Sequence, residues 1–237
     1  MARPRFFLIL STVFLAVVLI GFSRSFYLKS YFDFPELPVH LHLHGIALTS
    51  WFALACAQPW LIRLKKVALH RRIGVAGAAI AISVVLTGLW TLVMRDAPNI
   101  EQEPNRAAGN IASLVMFSLC VLFGIAFRRN RAMHKRLMLI ASIPILAPAL
   151  DRFARIPAMN EFWGKILYWM PAPPEIAFAS LGFLLLLLLV VVNDIVSERR
   201  VHRGTLVGLV SVLILAPALT YLIVSFGLWV RLVEWVT

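Results

Sequence analysis

The chain has 237 residues, is 61% hydrophobic with a mean hydropathy of +0.86, and carries a formal net charge of +12. Soluble domains are about half apolar, so this composition excludes a water-soluble globular protein and identifies a polytopic membrane protein. The charge does not point to nucleic acid, because the basic residues cluster in connections between apolar segments.

A helix needs about 20 apolar residues to cross a bilayer. Segments at roughly 6–22, 41–62, 73–94, 108–127, 136–154, 176–195 and 205–230 predict one all-α domain over 1–237, a bundle of seven transmembrane helices. The fifth is the weakest, because its apolar run from Leu137 to Leu150 is short. Met1–Phe22 has Arg3 and Arg5 before an apolar run and Ser23-Arg24-Ser25 after it; this has the build of a leader and reads as the first span. Fifteen of the 23 Lys and Arg lie at the N-terminus and in the second–third, fourth–fifth and sixth–seventh connections. Of the acids, only Asp194 and Glu198 share that side. The positive-inside rule then puts the N-terminus in the cytoplasm and the C-terminus outside.

The second span opens with "PVHLHLHGIALTSW" (Pro38 to Trp51). As a helix, this stretch puts His40 and His44 one turn apart on one face, a chelating spacing, with His42 elsewhere; as an extended segment, all three share a side. Trp51 and Gln58 follow, and an amide as deep as Gln58 needs a partner inside the bundle. Arg95 and Asp96, with Asp151, Arg152 and Arg155, are placed to form a charged outer rim with these histidines. The cluster fits a copper or zinc site, a polar substrate pocket, or an interfacial collar.

His70, His134 and His202 form an inner layer at the starts of the third, fifth and seventh spans. They can ligate a metal, or two of them a b-type haem. Each is followed by bases, and Arg71, Arg72, Lys135, Arg136 and Arg203 at helix starts suit the phosphates of anionic phospholipids. Asp194, at the inner end of the sixth span, is placed to support the His202 imidazole or to pair with an arginine. "MHKRLMLIASIPILAPAL" (Met133 to Leu150) resembles "VHRGTLVGLVSVLILAPAL" (Val201 to Leu219), which suggests a repeated hairpin of spans 2–3, 4–5 and 6–7. Pro144, Pro148 and Pro217 break the fifth and seventh spans and either frame an outer pocket or only shape packing. Gly204 and Gly208 form a GxxxG that reads as packing. "NEFWGKILYWM" (Asn160 to Met170) predicts an interfacial amphipathic helix capped by Asn160, and Trp90, Trp229 and Trp235 fit an outer aromatic belt.

Cys56 and Cys120 lie inside apolar spans and define neither a disulfide framework nor a zinc motif. There is no P-loop, GxSxG, HExxH, CxxC or CxxCH, and no flavin or nicotinamide fingerprint.

"FYLKSYF", "LPVHLHLHGIALTSWFALACAQPWLI", "VALHRRIGVAGA", "RAMHKRLMLIA" and "VNDIVSERRVHRGTLVG" together resemble a family of small polytopic bacterial inner-membrane proteins of unknown function. The resemblance covers most of the chain. It implies a multi-pass protein of the bacterial inner membrane, with His44, Trp51, Gln58, His70, Arg71, His134, Arg136, Asp194 and His202 as family positions. Arg203 stands where the family pattern tends to have proline. Two function classes follow as expectations: a redox or metal-handling protein using histidine-ligated metal or b-haem, or a non-catalytic lipid- or quinone-binding protein. The second class includes an accessory subunit of a larger membrane complex, and a homo-oligomer fits either class.

Overall fold

The computed structural model describes residues 4–96 and 104–227. Arg3, Trp229, Trp235, the end of the seventh predicted span and the Asp96 side chain lie outside the described residues. The described chain is all-helical, at 85% helix with no strand among those residues. The helices are α1 (Pro4–Gly21), α2 (Val39–Arg63), α3 (Val67–Thr91), α4 (Pro104–Ala126), α5 (Arg131–Ala141), α6 (Ala147–Ala154), α7 (Pro157–Ile166), α8 (Pro174–Glu198), α9 (Arg203–Val210) and α10 (Ala216–Ser225).

Among the described residues, six stretches are long and apolar enough to cross a bilayer: α2, α3 extended to Arg95, α4, α5 with α6, α8, and α9 with α10. α1 is the shorter apolar helix. It buries Phe7, Leu10, Phe14 and Val18, a 3–4 residue spacing that turns one face onto the bundle.

The span that looked weakest is the centre of the molecule. Buried residues make up 61% of the α5–α6 window, against 22–44% for the other five spans. A helix enclosed by protein needs less apolar surface than one facing lipid, so its short apolar run marks its position in the bundle. α5 packs on α4 and α9, α6 on α8 and α1, and α2 pairs with both α1 and α3. The expected hairpins of spans 2–3 and 4–5 are therefore present. The third is opened out, because α8 packs on α6 while α9 and α10 pack on α5 and α4.

The repeated ILAPAL strings mark equivalent breaks. α5 gives way to a tight 3₁₀ turn (Pro144–Leu146), and α6 restarts with Pro148 in its first turn. Ile140 loses a bonding partner at Pro144, and its carbonyl accepts from Ile143 N at 3.0 Å instead. In the second copy the break is a π turn (Ser211–Leu215), and α10 restarts with Pro217 in its first turn. The second copy is one residue longer between histidine and proline, and the wider π turn absorbs that residue. Pro148 and Pro217 are both exposed, whereas Pro144 is buried.

Glycines set the closest approaches. A Cβ on Gly208 would come within 2.5 Å of Ile140, which makes the GxxxG a packing face for α5. On Gly21 it would strike the Ala149 backbone carbonyl of α6, whereas on Gly74 it would meet nothing within 4 Å. Gly21→Ala is therefore expected to cost about 1–3 kcal/mol through overpacking. Gly74→Ala is expected to be neutral or to gain up to about 1 kcal/mol of helix propensity. Thermal unfolding of the detergent-solubilised variants should place the two on opposite sides of the parent.

Candidate functional site

His44, Trp51 and Gln58 recur at seven-residue spacing, so they share one stripe of α2 that faces the bundle interior. Fourteen residues separate His44 from Gln58, about 21 Å of helix at ~1.5 Å per residue. Trp51 fixes the middle of this stripe. It is 3% exposed, packs edge-on against Phe117 at 4.9 Å, and its Nε1–H donates to Ser142 Oγ at 3.0 Å. It is thus a core residue where α2 meets the break after α5.

Seven residues beyond Trp51 on α2 lies Gln58. Eight residues before Ser142 on the antiparallel α5 lies His134, so the two reach a common level. His70, in the first turn of α3, joins them. Its ring centroid is 6.4 Å from that of His134, and it lies against the Gln58 backbone carbonyl. His70 and His134 occupy equivalent places: their backbone N–H groups close the first turns of α3 and α5, on Lys66 and Asn130.

Two facts give this cluster chemical character. His134 Nδ1 lies 2.7 Å from the Gly124 carbonyl, which can only accept, so Nδ1 carries the proton and Nε2 keeps its lone pair. Both amide atoms of Gln58, and His70 Nδ1, are buried with no partner in the protein. Buried polar atoms are almost always satisfied, and in a bilayer the penalty for leaving them unmet is larger.

The expected inner histidine layer is split. His202 is not a third member, because it is the N-cap of α9 and its Nδ1 accepts from Gly204 N at 2.9 Å. Its remaining nitrogen must then carry the proton in the neutral ring, which removes it as a metal donor. His202 belongs to a neighbouring network built on Asp194. Arg136 Nε and Nη2 donate to Asp194 Oδ1 at 2.8 and 2.6 Å, and Nη2 also donates to Glu198 at 2.8 Å. Asp194 Oδ2 accepts from His202 N at 3.0 Å and from the Thr205 hydroxyl. Arg136 and Asp194 are both fully buried. Arg136, expected at the lipid phosphates, is therefore an internal counter-ion. Arg71, Arg72 and Arg203 are exposed, and Lys135 is half-buried with Nζ over the Phe7 ring.

The histidines at the start of α2 form a pair. His40 is 8% exposed and lies beside Trp90 at 6.0 Å between centroids. His44 Nδ1 meets Thr87 Oγ1 at 3.1 Å. That hydroxyl gives its only proton to Ser83 O at 2.6 Å, so it accepts from His44 and leaves the His44 Nε2 lone pair free. His42 points away, toward Phe26. Within the expected charged rim, Arg155 binds Asp151 and also Glu175, tying α6 to α8. Asn160 lies inside α7 and donates to Glu175, while Ile156 holds the cap position. Among the described residues, no group of three or more His, Cys, Asp or Glu side chains is placed to hold a metal ion.

Glu198 and Thr205 were not anticipated. Glu198 sits one turn beyond Asp194 on the same face of α8, a spacing visible in the sequence. Ser142, Thr87 and the Gly124 carbonyl left no such trace.

No protein-family model, no curated protein and no solved structure matches the chain.

Two outcomes follow. Truncating one member of the Arg136–Asp194 pair (Asp194→Ala) should cost about 3–5 kcal/mol, whereas the double change Arg136→Met with Asp194→Leu should recover most of it; chemical denaturation in mild detergent distinguishes them. The second outcome concerns pH. Burial first, then the Arg136 and Lys135 cations, hold the His202 imidazole below its ordinary 6.5, against the opposing pull of Glu198 and Asp194. The unfolded chain takes up this proton near 6.5 and the folded one resists it, so stability is held above that pH and falls as pH drops below it. A pH series of melting temperatures should show this decline, and His202→Asn, which caps without titrating, should reduce it.

Proposed function

We propose that the protein is a seven-span protein of the bacterial inner membrane, with its N-terminus in the cytoplasm. Its role is to bind a lipophilic molecule by the polar head between α2, α3 and α5, as a carrier, sensor or accessory subunit. The supporting observation is the set of buried polar atoms without protein partners, Gln58 Nε2 and Oε1 and His70 Nδ1, beside a histidine whose lone pair is held free. Such a cluster in apolar surroundings is the usual build of a small-molecule site, a few placed polar groups in an apolar pocket. The positive-inside distribution of bases supports the orientation, and the apolar composition of α1 supports a seventh span there. The likeness to small bacterial inner-membrane proteins agrees with this reading.

A second reading keeps the histidines as ligands of a redox metal or b-haem. The His134 contact favours it, since an Nδ1–H held by a carbonyl is how ligand histidines are commonly oriented. Each layer would then supply two imidazoles.

Protein purified from membranes in mild detergent should carry a stoichiometric lipophile detectable by native mass spectrometry, and Gln58→Leu should release most of it. A Soret band, or a stoichiometric metal by elemental analysis, would favour the second reading instead.

A further inference from the structure

We infer that the Gln58–His70–His134 cluster selects a neutral lipophile whose head carries a hydroxyl, such as a hydroquinone or a diacylglycerol, over a head that can only accept hydrogen bonds. This rests on the binding function proposed above and adds the polarity of the ligand.

The inference follows from which atoms hold protons. His134 directs its Nδ1–H into the Gly124 carbonyl at 2.7 Å, so the nitrogen it has left, Nε2, is an acceptor. Gln58 offers an acceptor in Oε1 and two donors on Nε2, and none of these has a partner in the protein. A carbonyl head, as in a quinone or an ester, would meet the Gln58 N–H groups and leave at least two acceptors, Gln58 Oε1 and His134 Nε2, unpaired. A hydroxyl donates to His134 Nε2 or Gln58 Oε1 and accepts from Gln58 Nε2 with its own lone pairs.

Charged heads fit less well. A phosphate brings only acceptors against two lone pairs. Arg136, the deepest guanidinium nearby, is already held by Asp194, Glu198 and the Ala132 carbonyl. An ammonium leaves the Gln58 donors unmet and enters a region where Arg71, Arg72 and Lys135 are all cationic. The apolar groove between α1 and α2 is a separate feature. Its volume is about 620 Å³, and it opens on the face of α2 bearing Ala53, Cys56 and Trp60, away from Gln58.

The test is equilibrium binding by isothermal titration to the full chain in phosphatidylcholine nanodiscs. The probes are a decyl-substituted hydroquinone, its dimethyl ether of the same shape, the matching quinone, and a short-chain diacylglycerol. The hydroquinone or the diacylglycerol should bind at least about tenfold more tightly than the ether and the quinone. Whichever of the two binds more tightly identifies the source of the hydroxyl. In Gln58→Leu, and independently in His134→Phe, the ratio of hydroquinone to ether affinity should fall toward one. Equal binding of hydroquinone and ether by the parent protein would overturn the inference while leaving the binding function standing, and so would a preference for the quinone. If none of the four probes binds, the binding function falls with it.

Discussion

The buried Arg136–Asp194 pair constrains the rest of the molecule. Two full charges removed from water are tolerated only if every remaining donor and acceptor is also satisfied. Asp194 accepts four hydrogen bonds, two from Arg136, one from the His202 backbone and one from Thr205. Arg136 reaches Asp194, Glu198 and the Ala132 carbonyl. The pair therefore fixes the C-terminal end of α8, the start of α9 and the first turns of α5 relative to one another. An arginine at this depth also requires that protein surround it, and this puts α5 at the centre.

The helix breaks follow from that central position. α5 must admit α9 closely, through Gly204 against Met133 and Gly208 against Ile140, and must then hand over to α6, which packs on α1 through Gly21. A straight helix does not serve both contacts. The 3₁₀ turn at Pro144–Leu146 redirects the chain, and the π turn at Ser211–Leu215 makes the corresponding adjustment in α9–α10. Trp51 reaches Ser142 at the first of these breaks, where the helix ends, and so ties α2 to the same centre.

The histidines then divide according to what their neighbours leave them. His202 becomes a cap and an acceptor, whereas His44 and His134 become donors through Nδ1 and keep a free lone pair. Residues that look equivalent as His-plus-base at helix starts thus end in opposite protonation patterns. The cause is local: Gly204 presents an N–H to one ring and Gly124 presents a carbonyl to the other.

Much of this was legible in the sequence. Apolar length and the placement of Lys and Arg set the spans, and the alternating histidines, Trp51 and Gln58 already lay on one helical stripe by their spacing. The ILAPAL strings located both breaks, because proline removes a donor wherever it stands. The sequence did not show which span is central, since a short apolar run reads as a weak helix until the bundle is seen to enclose it. Nor did it show that Arg136 faces Asp194, 58 residues away, or that His70 and His134 meet while His202 turns aside. Composition and periodicity act along one helix, and they determined what each segment is. Pairing of charges and choice of tautomer depend on which groups different helices bring within about 3 Å of each other, and only the tertiary structure decided that.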